Sequence, residues 1–276
     1  MAFSARTDFA DECFVECDIN AIFEHHQKSY ELGKINWVKV KHQDNPFKKK
    51  IGDYITIDYE RMDDAYLRSM IGEEIVTVLS ALCENRLIRK ILVVGLGNKE
   101  MVSDAVGVRT AERIMVTSHL FEQHEESEGM GNCACIIPKV MGQTGLESSR
   151  IVKGVTDFYK PDLIIAIDAL ATNSLKRINK AIQISNTGIA PGSGVGNHRL
   201  SIDEDSMNVP VISIGVATVT TIGAIMKELI DQHEDYHSEY LDCIVTPRSI
   251  DKECEELVDL LAFGLNCFIH PNYEGM

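Results

Sequence analysis

The sequence predicts an α/β protein: a mostly parallel sheet with helices on both faces, preceded by a small N-terminal strand pair. Three observations carry this. Ile91-Leu92-Val93-Val94, Leu163 to Ile167 and Val209 to Gly215 are short aliphatic runs without polar alternation, the pattern of strands buried on both faces. Stretches of helical period separate them. The first run ends on glycine and the second on a carboxylate, Gly95 and Asp168, at the strand edge where open α/β sheets bind ligands.

In chain order, residues 1–34 are polar and weakly periodic, which predicts an arm or a loosely attached helix near Asp18 to Leu32. Ile35 to Val40 and Tyr54 to Ile57 form the strand pair. The polar turn region Gln43 to Gly52 joins them, with Pro46 and a solvated Lys48-Lys49-Lys50 run. A helix over Asp63 to Asn85 leads into the central strand. Gly95-Leu96-Gly97-Asn98 tolerates positive φ and close backbone approach. Ala105, Val106, Val108, Ala111, Ile114 and Met115 then repeat at helical spacing, with Asp104 at the N-cap position.

An acidic loop over Glu122 to Gly131 precedes a strand at Cys133 to Pro138, a glycine-flanked turn at Met141 to Gly145 and a helix at Leu146 to Tyr159. The strand Leu163 to Asp168 is the most apolar of all and ends on its carboxylate. Ala181 to Ser185 is a further strand, Thr187 to Asn197 a glycine-rich loop, and helices are predicted at Thr218 to Glu234 and Asp251 to Cys267. A single domain over 1–276 is the simplest organisation.

A formal net charge of −15 excludes the basic face of a nucleic-acid binder, and no run of eighteen apolar residues predicts a membrane span. Without a basic-then-apolar start, the eight cysteines read as reduced cytoplasmic thiols, and Cys133 and Cys135 as small buried hydrophobes. Gly194-Val195-Gly196 is followed by Asn197-His198, not by the Lys-Ser/Thr of a phosphate loop, and Gly95-x-Gly97 has Glu100 where a dinucleotide fingerprint needs its third glycine. Ser193 lacks the G-x-S-x-G elbow of a serine nucleophile.

What remains is the pair Asp104 and Asp168. Two carboxylates at one sheet edge cannot both ionise cheaply, so one holds a proton while the other acts as base, as hydrolysis of an amide requires. The plainer alternatives are a helix cap for Asp104 and a turn former for Asp168. A metal held by the two with His198 is a third reading.

Taken together, the segments resemble the bacterial germination protease, the spore endopeptidase that degrades small acid-soluble spore proteins. The residues carrying the resemblance are Arg6 to Ala10, Val93 to Asn98 with Asp104, Thr117 to Leu120, Val140 to Gly145, Ile164 to Ala171, Ile182 to Ile184 with Thr187 to Ile189, Pro191 to Asn197, Val245 to Pro247 and Gly264 to Asn266. Each fragment is short, and the ordered set is specific. Departures are Val102-Ser103 for the family's Thr-Pro, Ala105 to Val108 for ALGP, Ala217 to Ile222 for PTVVDA, and a short stretch between Ile222 and Leu241.

The resemblance implies an aspartic-type peptidase similar in core fold to hydrogenase maturation peptidases, with Asp104 and Asp168 catalytic and no metal or cofactor. It implies site-shaping or substrate-binding roles for Gly95, Gly97, Asn98, Thr144, Gly192, Ser193, Gly194 and His198. It also implies a homotetramer in the spore cytoplasm, acting on small acid-soluble spore proteins. Residues 1–8 would be a pro-segment, removed by a cut between Asp8 and Phe9. A catalytically silent relative that binds spore proteins, and a metal-dependent maturation-type peptidase, are the alternatives.

Overall fold

The computed structural model describes residues 7–14, 23–45, 48–191, 200–229 and 239–273. The strands are β1 (Phe23–Tyr30), β2 (Gly33–Val40), β3 (Gly52–Tyr59), β4 (Lys90–Gly95), β5 (Asn132–Ile136), β6 (Leu163–Ala171), β7 (Ala181–Ser185), β8 (Val211–Thr221) and β9 (Ile244–Val245). The helices are α1 (Ala10–Phe14), α2 (Ala65–Cys83), α3 (Val106–Ala111), α4 (Ser118–Gln123), α5 (Met141–Thr144), α6 (Ser148–Tyr159), α7 (Glu204–Met207), α8 (Ile222–Leu229) and α9 (Ile250–Ile269). Among these residues no helix is long and apolar enough to cross a membrane.

One sheet runs in the order β1-β2-β3-β7-β8-β6-β4-β5, with β9 paired to β8. Side chains alternate across it with period two. Val93, Ile165, Ile167 and Ile214 pack with Ile71 and Ile75 of α2 and Leu257 and Leu261 of α9. Leu92, Val94, Ile164 and Ala166 pack on the other face with Val152 of α6 and Met207 of α7. The α/β class with helices on both faces is therefore what the structure has.

The sheet is mixed, and its parallel character is confined to β5, β4, β6 and β8. A parallel crossover needs a dozen or more residues, usually with a helix. Between Ala171 and Ala181 the chain holds only a 3-10 turn, Leu175–Arg177, and β7 joins β8 antiparallel. The N-terminal strands extend that half through β3.

Five expectations are corrected. The helix near Asp18 to Leu32 is in its described part the strand β1, joined to β2 by a hairpin in which Tyr30 pairs with Gly33. Its sequence, FEHHQKSY, has too few apolar residues to set a period, so pairing with β2 decides. In its described part the arm is not loose: Phe9 and Ala10 are fully buried. The helix expected from Thr218 begins at Ile222, because Ala217 to Thr221 continue β8 against β6 and β9. Asp168 does not end its strand, since β6 runs on to Ala171, and Asp104 does not cap a helix. It closes a 3-10 turn, Val102–Asp104, and Ala105 holds the N-cap position of α3.

Helix α3 lies against the sheet main chain to main chain. A Cβ on Gly107 would stand 2.3 Å from the Ile167 carbonyl oxygen and 2.5 Å from that of Leu96. Gly107→Ala must therefore push α3 away from β6. Overpacking of this kind costs about 1–3 kcal/mol, to be read as a fall in the urea midpoint at unchanged slope.

Candidate active site

Asp104 and Asp168 line one cavity of about 310 Å³ beyond the end of β4, together with Gly97, Ser148, Ala171 and Asp8. Asp168 sits on the α6 face of β6, in register with Gly215 of β8, and is buried with 7% of its surface exposed. Its Oδ1 accepts the Ala169 N–H at 2.9 Å, which fixes the carboxylate against its own strand.

Asp104 is placed by its neighbours' backbone. Gly97 has φ +104°, and a Cβ there would meet the Asp104 carbonyl oxygen at 2.0 Å. The Asn98 N–H donates to that same oxygen at 3.0 Å, and the Leu96 N–H donates to the Ile167 carbonyl at 2.8 Å. Thr218 of β8 ties the turn down from the other side, its hydroxyl donating to the Ser103 carbonyl at 2.7 Å. Gly95 is pressed against Gly107 and Ala111. The two glycines thus set where Asp104 stands, and of the two only Gly97 reaches the cavity.

Asn98 accepts from Gln143 at 3.1 Å and so links this turn to α5. Thr144 is exposed, bonded to the Val140 carbonyl and the Leu146 N–H, and is not among the residues lining the cavity. Gly192, Ser193, Gly194 and His198 lie outside the described residues. Among the described residues no group of three or more His, Cys, Asp or Glu could hold a metal ion. Burial pushes the Cys133 and Cys135 thiols up to about 12, so both stay protonated and pack as small hydrophobes.

The third carboxylate, Asp8, belongs to the chain's own N-terminal segment. Its N–H donates to the Ala171 carbonyl at 3.0 Å, and its Oδ2 accepts the Ala171 N–H at 2.8 Å. The segment is thus fastened to the last residue of β6, three positions past Asp168. The Asp8 carbonyl accepts from Lys49 Nζ at 2.8 Å and Gln183 Nε2 at 3.2 Å. Phe9 is fully buried against Leu170, Ala181 and Ala217. Beyond Asp8 lies a second cavity of about 240 Å³, lined in part by Lys48, Lys49 and Lys50. The basic run is therefore not only a solvated turn, and Lys49 and Gln183 are contacts the sequence pattern did not reveal.

A family model described as germination protease matches residues 10–239. The chain is 36% identical to a germination protease of Caldanaerobacter subterraneus subsp. tengcongensis, over 96% of this chain and 94% of that one. It is 34% identical to one of Clostridium tetani, over 98% and 97%. The chain belongs to the germination protease family. Among relatives matched over a shorter stretch, the Bacillus subtilis germination protease is 43% identical over 66% of this chain and 52% of its own. Among solved structures, the NiFe hydrogenase maturation protease HycI of Thermococcus kodakarensis aligns with 68% of this chain and 98% of its own, at 19% identity and a TM-score of 0.39. That likeness is too loose to carry chemistry across.

In this family member, burial holds the Asp8 carboxyl above the ordinary carboxylate range. The Glu12 charge adds to the rise, while the Ala171 N–H and Lys49 act against it. A carboxyl whose pKa is higher docked than undocked keeps its proton better when docked. Docking is therefore fully favoured below the undocked value and weakens as pH rises through the docked one. The protection factor of the Ala171 amide should therefore fall as pH rises above the ordinary carboxylate range of about 4. Asp8→Asn, which keeps an acceptor oxygen for Ala171, should flatten that dependence. A protection factor that rises with pH would contradict the assignment.

Proposed function

We propose that the chain is an endopeptidase that opens the degradation of small acid-soluble spore proteins. It is made as a self-processing zymogen and hydrolyses peptide bonds with Asp104 and Asp168. The observation that carries this reading is that Asp8 lines the same cavity as both aspartates, with its N–H bonded to the carbonyl of Ala171 at the end of the strand that bears Asp168. On this reading a peptide bond of the chain itself is what the carboxylates act on.

In the proposed reaction one carboxylate takes a proton from water as the water attacks the Asp8 carbonyl carbon. The other, protonated, gives its proton to the departing Phe9 nitrogen. Lys49 and Gln183, already on the carbonyl oxygen, would stabilise the negative charge that develops there. The low exposure of Asp168 keeps bulk water from competing. The cut falls between Asp8 and Phe9, which makes residues 1–8 the pro-segment. A homotetramer in the developing spore belongs to the same reading and rests on the family alone.

Purified full-length protein should generate a new amino terminus at Phe9 and then cleave a small acid-soluble spore protein. Asp104→Asn and Asp168→Asn should each slow both reactions by roughly 10²–10⁴-fold, the usual share of general acid–base catalysis. Peptide mass mapping over time reads the first step and gel electrophoresis the second. Processing that survives both substitutions would remove the aspartate mechanism. Chelator-sensitive activity would favour the metal-dependent alternative, and binding without cleavage the silent relative.

A further inference from the structure

Ser148 lines the cavity of the two aspartates and has no part in the chemistry described so far. It is the first residue of α6 and is buried, with 9% of its surface exposed. Its hydroxyl donates to the Lys139 carbonyl at 2.7 Å. Lys139 stands in the left-handed region at φ +59°, and the bond closes the stretch 139–148, which carries α5, into a loop beside the cavity.

A serine hydroxyl has one hydrogen and two lone pairs. A carbonyl oxygen can only accept, so the Ser148 hydrogen is committed to Lys139 and the polarity of the group is fixed. What remains is an acceptor. Among the described residues nothing donates to it. The ionisable side chains of the cavity wall, Asp8, Asp104 and Asp168, are all carboxyl groups, and most of the rest is apolar, with Leu96, Met101, Val140 and Leu170. Whatever meets Ser148 in this cavity therefore has to bring a hydrogen, and water does.

Resting on the reading that Asp104 and Asp168 divide the work of base and acid, we propose that Ser148 is a third catalytic residue, which orients the attacking water. The water gives one hydrogen to the base carboxylate and points the other at the Ser148 oxygen, which leaves a lone pair facing the peptide carbonyl carbon. As the new C–O bond forms, the first hydrogen passes to the base and the carbonyl π electrons move onto oxygen. The protonated carboxyl then gives its hydrogen to the departing nitrogen as the C–N bond breaks. The hydrogen held by Ser148 stays on the new carboxyl group and leaves to solvent afterwards. A fixed acceptor is worth more here than a rotating one, because the water is held in its reactive orientation before the reaction starts.

The test uses the full-length chain and its self-processing, a first-order reaction in which the bond is already docked. Ser148→Thr and Ser148→Val are branched alike and differ by a hydroxyl against a methyl. The Phe9 amino terminus should appear about 10-fold more slowly in the Val chain than in the Thr chain, the size of one hydrogen bond made in the transition state. The Thr chain should stay within about 3-fold of wild type. A first-order rate constant is not moved by partial loss of folded protein. The pH–rate profile should keep its shape in both chains, because the Ser148 hydroxyl does not titrate.

Equal rates in the Thr and Val chains overturn the proposal. So does a shifted limb of the pH profile in the Val chain, which would place the hydroxyl on a protonated carboxyl instead of on water. Docking is read separately as Ala171 amide protection in chains that also carry Asp104→Asn, which hold the bond uncut. If protection falls with the rate in the Val chain, the hydroxyl only staples the loop to Lys139, and the proposal is again overturned. A failure of the aspartate reading looks different: the wild-type chain makes no cut, or cutting survives Asp104→Asn and Asp168→Asn, and the role of Ser148 falls with it.

Discussion

The position of Asp104 relative to Asp168 depends on two places where main chain meets main chain with no room for a side-chain carbon. At Gly97 the Asp104 carbonyl occupies the space a Cβ would take, and at Gly107 the carbonyls of Ile167 and Leu96 do. Close packing makes such contacts stiff, because any added atom has to move a whole element. The consequence is that the turn bearing one carboxylate is registered directly against the strand bearing the other. The Asn98 N–H and the Thr218 hydroxyl complete that registration.

The length of β6 is the second constraint. Had the strand ended at Asp168, no backbone would remain beyond the carboxylate for a peptide to pair with. Instead Ala171 accepts the Asp8 N–H on its carbonyl and gives its own N–H to the Asp8 carboxylate, one main-chain bond and one side-chain bond that seat the segment on the strand end. Period two then places Leu170 on the same face as Asp168, which is why Phe9 packs on Leu170 on the carboxylate side of the sheet. Gly215, opposite Asp168, leaves the volume that the Leu170 side chain fills.

The Arg177 cluster shows how polar contacts are placed at this site. Burial alone disfavours the guanidinium charge, and the hydrogen bonds and charges of Asp11, Asp58 and Glu12 more than restore it. Asp58 is itself raised by burial, against the pull of Arg177. Buried ion pairs of this kind add little net stability over apolar packing but strongly penalise a wrong partner. The cluster therefore fixes which carboxylates lie against Arg177 more than it adds to net stability.

The sequence by itself determined the class of the fold, its principal buried strands and two aspartates that line one cavity. Each depends on local pattern: unbroken aliphatic runs at Ile91 to Val94 and Leu163 to Ile167, helical period between them, and carboxylates beside their ends. It also held the family, because ordered short motifs need no geometry to be recognised. Only the tertiary structure decided that Phe23 to Tyr30 is a strand, that β6 passes Asp168, that Asp104 stands in a 3-10 turn, and that Lys49, Gln183 and Arg177 meet the N-terminal segment. Those outcomes come from pairings between residues far apart in the chain. Gln183 lies 175 positions from Asp8 and Arg177 166 from Asp11, and no local period carries information across such a span.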